Sequence, residues 1–223
     1  MVPTAPSAVP RLPPYQIRAV DDVTRLRLAW DMPTMHPRTH RWTRTEYARL
    51  IETTILRSGD KVELLGGHLC VSERQNSPHA TAIALGQEAL QKALGPGWSV
   101  RVQLPIALDD ESEPEPDLAV VSGRPRDYSA DHPSRPALVI EIADWSLTLD
   151  RERKGSLYAR ARLPEYWIVN LVGRALEVYR DAGPDPAALY GWAYRSVQTL
   201  GANQHVTPLA VPSTAIPVAD LLP

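Results

Sequence analysis

The sequence predicts a mixed α/β fold, α+β in its ordering, with a central mixed β-sheet flanked by helices. Two observations carry the prediction. Strand-type runs and segments with helical periodicity are interspersed along residues 42–222, and a strand–helix–strand unit is legible at 137–170. Such a mixture buries its apolar faces best by laying helices on a sheet. No internal repeat argues for a solenoid or an array.

Residues 1–40 read as a proline-rich, weakly ordered N-terminal leader. Prolines recur at 3, 6, 10, 13, 14, 33 and 37 with arginines between them and no sustained period. Such a segment buries little and need not fold alone. Within it, residues 17–30 could form a short strand or a partner contact. The ordered domain is expected over 41–223. Thr43-Arg44-Thr45-Glu46 is a capping box, followed by Tyr47, Leu50, Ile51 and Ile55 at helical spacing and by Gly59 as a stop. Residues 61–65 and 68–71 read as a hairpin turning on Gly66-Gly67. Pro78 opens a second helix, with Ile83, Leu85, Leu90 and Leu94 as apolar points and Gly95-Pro96-Gly97 as its end.

Strands follow at 99–105, 117–121 and 137–142, then a third helix at about 150–161, broken by Pro164. Residues 165–170 and 175–180 read as a strand pair across Gly173. The tail segments 190–197, 205–211 and 215–222 read as short edge strands and a terminal cap.

Composition bounds the rest. The 223 residues, 43% hydrophobic and 22% charged, suit a soluble globular domain with or without a tail. A net charge of −2 argues against bulk attraction to nucleic acid but leaves room for a local basic groove. The single cysteine, Cys70, excludes a disulfide framework and a cysteine zinc cluster, and its strand context suits a buried thiol. No apolar run approaches the roughly 18 residues of a membrane span. Prolines interrupt residues 1–14, where a signal peptide would carry its apolar stretch. A cytoplasmic protein with no membrane partner is expected. A Walker-type glycine loop, a GxSxG elbow and an HExxH pair are all missing.

The informative residues are charges inside core-type runs, which are costly unless paired or bound to a metal. Asp117 opens Leu118-Ala119-Val120-Val121, and Glu141 lies inside Ala137-Leu138-Val139-Ile140-Glu141-Ile142. By strand alternation Asp117, Ala119 and Val121 share one face, as do Ala137, Val139 and Glu141. If the two strands are neighbours, both carboxylates point the same way, within reach of one ion. Lys154 shares the stripe of Leu157, Tyr158 and Ala161 on the third helix. Taken singly, each has a plainer reading: a strand-start turn residue for Asp117, a buried ion pair for Glu141, a snorkelling side chain for Lys154.

Taken together, they point to a phosphodiester hydrolase dependent on Mg²⁺, or on Mn²⁺ in its place. Mg²⁺ needs few protein ligands because it keeps waters and substrate phosphate oxygens. The ion would activate water and polarise the phosphate, and Lys154 would orient that water or neutralise transition-state charge.

Other residues have two readings each. Glu63, mid-strand in Val62-Glu63-Leu64-Leu65, is a third acid or a hairpin charge paired with Lys61 or an arginine. His79 is a phosphate contact or a support behind the metal ligands, or else a locally bonded helix-start residue. Gln103 could hydrogen-bond a metal-held water. Asp150 reads best as an N-cap, and Asp144 as a turn former. Arg151 and Arg153, with Arg124 and Arg126, are a phosphate-binding rim or a solvated face. Trp145, Trp167 and Tyr166 read as packing residues.

The chain resembles the Uma-type family of restriction endonucleases within the PD-(D/E)XK nuclease superfamily. The resemblance spans about Trp42 to Pro223. It rests on Lys61-Val62-Glu63-Leu64-Leu65-Gly66-Gly67, Ser77-Pro78-His79, Glu115-Pro116-Asp117-Leu118-Ala119-Val120-Val121 and Leu138-Val139-Ile140-Glu141-Ile142-Ala143. To these add Asp150-Arg151-Glu152-Arg153-Lys154, Leu157-Tyr158-Ala159-Arg160 and Pro164-Glu165-Tyr166-Trp167-Ile168-Val169-Asn170.

The resemblance implies a restriction-endonuclease-like core with its site at one sheet edge. It implies Asp117 and Glu141 as metal-binding acids, Lys154 as the catalytic lysine and Glu63 as an additional acid. In the wider superfamily the lysine lies two residues after the second acid, where this chain has Ala143; the family pattern puts it on the following helix, and Lys154 fits. The expected function is a divalent-metal-dependent endonuclease acting on DNA, as a homodimer because two symmetric sites cut a duplex most simply. The alternative is a non-catalytic DNA-binding or assembly protein that retains the fold.

Overall fold

The structure, a computed structural model, describes residues 39–57, 59–71 and 75–223. The expected leader, including residues 17–30, lies outside the described residues apart from its last two positions. His40 to Pro223 form one compact unit.

The capping box forms as the sequence predicts: the Thr43 hydroxyl accepts from the Glu46 N–H, and the Glu46 carboxylate accepts from the Thr43 N–H. The helix it starts, α1 (Arg44–Glu52), is shorter than expected. It ends at Thr53-Thr54, where Thr54 takes a left-handed φ of 59°. Of its apolar stripe only Tyr47 is buried, with its hydroxyl on the Val62 carbonyl at 2.5 Å.

β1 (Val62–Leu65) and β2 (His68–Val71) make the expected hairpin. Gly66 and Gly67 both have positive φ, 57° and 80°, which the tight primed turns of hairpins require.

α2 (Ser77–Ala93) is capped by Asn76, whose side chain accepts from the His79 N–H. Its inner face is Ala82, Ile83, Gly86, Ala89 and Leu90. Gly86 permits close approach to the sheet, because a Cβ there would stand 2.7 Å from the Leu118 Cδ1.

The main sheet has six strands in chain order: β3 (Trp98–Val102), β4 (Leu118–Ser122), β5 (Leu138–Ala143), β6 (Glu165–Asn170), β7 (Ala175–Pro184) and β8 (Trp192–Gly201). All neighbours are antiparallel except β5 and β6, which run parallel. Their crossover is a six-residue π-helical segment, Leu149–Lys154, running into α3 (Gly155–Arg160).

One face of the sheet carries Leu118, Val120, Leu138, Ile140 and Trp167 against α2 and the C-terminal residues. The other carries Ala119, Val139, Ala143 and Ile168 with Tyr158 of α3. A mixed sheet between helices is therefore what forms.

Two expectations are corrected. The segment expected at 190–197 is part of a ten-residue strand paired along the whole of β7, because β7 itself runs on to Pro184. The expected third helix begins as π-helix, with the Gly155 N–H bonded to the Asp150 carbonyl five residues back. The small β9 (His205–Val206) and β10 (Ile216–Pro217) pair, followed by a 3₁₀ turn at Val218–Leu221, closes the core as a cap.

Candidate active site

The register that pairs Leu118 with Ile140 and Ala119 with Val139 brings Asp117, one residue before β4, opposite Glu141 of β5. Opposed residues of an antiparallel pair project to the same face. Both acids therefore emerge on the α3 side, at the end of β5 where the chain leaves the sheet.

Asp117 is held from three directions. Gln103 Nε2 donates to Oδ1 at 3.1 Å, the Ile142 N–H donates to Oδ2 at 2.9 Å, and His79 Nε2 lies 3.3 Å from Oδ2. Gln103 reaches Asp117 because it sits just past β3 in a left-handed turn (φ 50°), not inside the strand expected there. Burial drives the Asp117 pKa up, but the hydrogen bond and charge of His79, the Ile142 N–H and the Lys154 charge outweigh it and leave it lowered. Burial drives His79 down, but Asp117, with the Ile142 backbone and Asp150, more than reverses that and leaves it raised. The other ring nitrogen, Nδ1, is buried with no hydrogen-bond partner among the described residues.

Glu141 Oε1 accepts from Lys154 Nζ at 3.0 Å and from the Tyr158 hydroxyl at 2.6 Å. Lys154 Nζ also lies 3.4 Å from Glu63 Oε2, which takes the Glu115 N–H at 3.1 Å. Lys154 is only 6% exposed. Burial alone would discharge it, but Glu141, Glu63, Asp150 and Asp117 surround it and hold its pKa well above the ordinary value, so it stays an ammonium. Glu141 is pushed well up by burial and by the neighbouring acids, against the pull of Lys154.

Asp150, only 2% exposed, accepts from the Ser146 hydroxyl at 2.6 Å. Its pKa is raised to about 6, chiefly by burial. It does not cap a helix: the N-cap position before the π segment is Thr148, and Asp150 turns inward with Lys154. A π segment of this kind is rare and often marks a functional site.

These groups line a cleft of about 700 Å³ between the hairpin, the start of α2 and the β5–α3 crossover. Four buried carboxylates, Glu63, Asp117, Glu141 and Asp150, face one buried lysine, Lys154, and the partly buried His79 there. Buried negative charge on this scale calls for a cation. Among the described residues no three His, Cys, Asp or Glu side chains form a ready-made metal cage. The donor set nevertheless suits Mg²⁺, which is bound through one or two carboxylates with water and phosphate completing the shell.

Asp144 ends β5 as a bend and accepts from Asn76 Nδ2 at 2.6 Å. Arg151 is taken up by Glu177 through two bonds, 2.5 and 2.9 Å long. Arg153 lies near Tyr190 and Cys70. None of Arg124, Arg126, Arg151 and Arg153 lines the cleft. Trp167 and Tyr166 are fully buried, as packing residues should be. Trp145, expected to pack, is instead 59% exposed and lines the cleft, because the chain turns outward where β5 ends. Cys70, expected to be buried, is half-buried on the hairpin.

Sequence reasoning missed Asp150 and the contact of Tyr158 with Glu141. The signal for Asp150 was present: it stands one turn before Lys154, and the stripe that turned Lys154 inward applied to it too.

Comparison with known proteins places the chain. Residues 44–219 match the model of the Uma2 family, described as "Putative restriction endonuclease". The chain belongs to the Uma2 family. Among solved structures, a crystal structure described as a putative nuclease belonging to DUF820 from Anabaena variabilis ATCC 29413 shares the fold. Its TM-score is 0.61, over 81% of this chain and 97% of that one, at 13% sequence identity. No match was found among curated proteins. In this Uma2 chain Glu141 lies on β5, Asp117 stands opposite it just before β4, and Lys154 is on the crossover that follows β5. Among the described residues no helix is long and apolar enough to cross a membrane.

Proposed function

We propose that this Uma2 chain is an endonuclease that hydrolyses DNA phosphodiester bonds with a divalent ion, Mg²⁺ or Mn²⁺, held by Asp117 and Glu141. The observation that carries the reading is the convergence of Asp117, Glu141 and Lys154 in a cleft where four buried carboxylates share a single buried cation among the described residues. Held by Asp117 and Glu141, a divalent ion would supply polarisation of the scissile phosphate and a lowered pKa of a water.

The chain's own residues have separable tasks. Gln103, His79 and the Ile142 N–H fix the Asp117 carboxylate in one orientation, as supporting hydrogen bonds fix metal-binding side chains generally. Tyr158 and Lys154 fix Glu141 through its Oε1. Lys154, kept charged by its acid neighbours, neutralises charge developing on the phosphate or orients the attacking water. Glu63 gives the ammonium a second carboxylate partner beside Glu141. Arg153, outside the bidentate pair that occupies Arg151 and lying beside Tyr190, is the better of the two for a phosphate beyond the cleft itself. A homodimer with two symmetric sites would cut both strands of a duplex.

The test is cleavage of supercoiled and single-stranded DNA with Mg²⁺ or Mn²⁺, beside Glu141→Ala and Lys154→Ala, with circular dichroism to check folding. Metal-dependent nicking that disappears in both folded variants supports the proposal. No cleavage of any substrate, together with no divalent-ion binding, would favour a non-catalytic protein that keeps the fold.

A further inference from the structure

The mouth of the acidic cleft is apolar. Ten large hydrophobic side chains are exposed among the described residues, and four of them, Ile51, Val71, Trp145 and Leu149, line this one cleft. They come from three separate pieces of chain: the end of α1, the end of β2, and the crossover after β5. Val71 is 77% exposed and Trp145 59%. The Trp145 indole has neither a ring partner nor a hydrogen bond among the described residues. Isolated exposed hydrophobics need no explanation, but a cluster rimming one cleft marks a binding surface.

The charges of the same rim narrow the occupant. Of the cations that line the cleft among the described residues, Lys154 is buried against Glu141 and Glu63, which leaves Arg57 and Lys61, both exposed, with the exposed Asp60 between them in the chain. Duplex DNA is gripped mainly by rows of lysine and arginine on its phosphates, and its stacked bases offer only their edges in the grooves. Among the described residues, two exposed cations and four apolar side chains suit a stacked base better than a row of duplex phosphates. An unpaired nucleotide offers what the rim lacks in a duplex: an apolar π face for an indole, with one phosphate on either side for a lysine and an arginine.

We infer that the cleft takes single-stranded nucleic acid, or an unpaired stretch of a duplex, with Trp145 stacking on a base and Arg57 and Lys61 on flanking phosphates. This rests on the nuclease reading for the choice of nucleic acid as occupant, and it names the substrate class of the same site. Ile51, Val71 and Leu149 complete the apolar seat around the base. The duplex outside such a stretch makes no specific contact with the rim.

The experiment is fluorescence anisotropy of a labelled oligothymidylate and of a labelled mixed-sequence duplex, titrated with the full chain in Ca²⁺. Wild type is compared with Trp145→Ala, whose exposed site leaves the fold intact. The expected result is tighter binding of the single strand and a loss of roughly tenfold in that affinity in the variant, with the duplex little changed.

Equal binding of both probes, or a single-strand affinity untouched by Trp145→Ala, overturns the inference. Failure of both probes to bind, with self-association that the variant abolishes, overturns it too and makes the rim an interface between copies. Cleavage is measured separately. A chain that binds single strands through Trp145 and cuts nothing keeps the inference and sinks the nuclease reading. A chain that cuts duplexes with Trp145 irrelevant does the reverse.

Discussion

Asp150→Asn should make the protein more stable at neutral pH, and the gain should vanish in acid. Asp150 is almost wholly buried, and burial is the first cause of its pKa rising from 3.8 to about 6; Asp117 and Glu63 add to the rise, while Lys154 and the Ser146 hydroxyl oppose it. Because the folded value lies above the unfolded one, the folded chain keeps this proton over a window in which the unfolded chain has lost it. Stability therefore falls as pH rises from about 4 to about 6 and stays lost above that. At about 1.4 kcal/mol per pH unit between the two values, the ionised carboxylate costs about 3 kcal/mol at neutral pH.

Asparagine removes the titration, and its Oδ1 can still accept the Ser146 hydroxyl that now reaches Asp150 at 2.6 Å. The variant should gain up to about 3 kcal/mol at about pH 7.5 and match wild type at about pH 4. Urea denaturation of both proteins across that range, without divalent ions, reads the difference directly. No gain at neutral pH, or a gain that persists unchanged into acid, would refute the reasoning. A cost of this size, carried at the cleft, is the familiar exchange of stability for a poised site.

Two further outcomes follow from the same geometry. Lys154→Ala leaves Glu141 and Glu63 buried without their common cation and should cost about 3–5 kcal/mol in urea melts; the Lys154→Met/Glu141→Gln double variant, which neutralises the shorter of the two pairs and leaves Glu63, should recover part of that, and equal loss in both proteins would contradict the pairing. Gln103→Ala removes the donor on Asp117 Oδ1 and should weaken Mn²⁺ binding by about 10-fold or more, measured by calorimetry, with little change in the melting transition; unchanged affinity would mean that Asp117 is oriented without Gln103.

Much of this was legible in the sequence because two short-range rules hold at the decisive places. Strand alternation predicted that Asp117 and Glu141 share a face, and the observed β4–β5 register puts them opposite each other. The capping box at Thr43 and the glycine pair at 66–67 fix the start of α1 and the hairpin turn locally. What escaped was set by the tertiary environment. The helical spacing of Leu50, Ile51 and Ile55 predicted one helix through Ile55, yet α1 ends at Glu52, which leaves Ile55 beyond it in solvent, and Ile51 is exposed at the cleft. Asp150 looked like a cap because acids favour helix starts, but the π turn carries it inward instead. Gln103 reached Asp117 through a left-handed turn for which glutamine gives no signal. Arg151 looked free for phosphate until β7 supplied Glu177, 26 residues further on.

The most direct measurement is calorimetric titration of the intact chain with Mn²⁺, beside Asp117→Asn and Glu141→Gln. The account predicts divalent-ion binding by wild type that is lost or severely weakened in both variants, because each removes one of the two acids proposed to hold the ion. Unchanged binding in either folded variant, or none in the wild type, would contradict it.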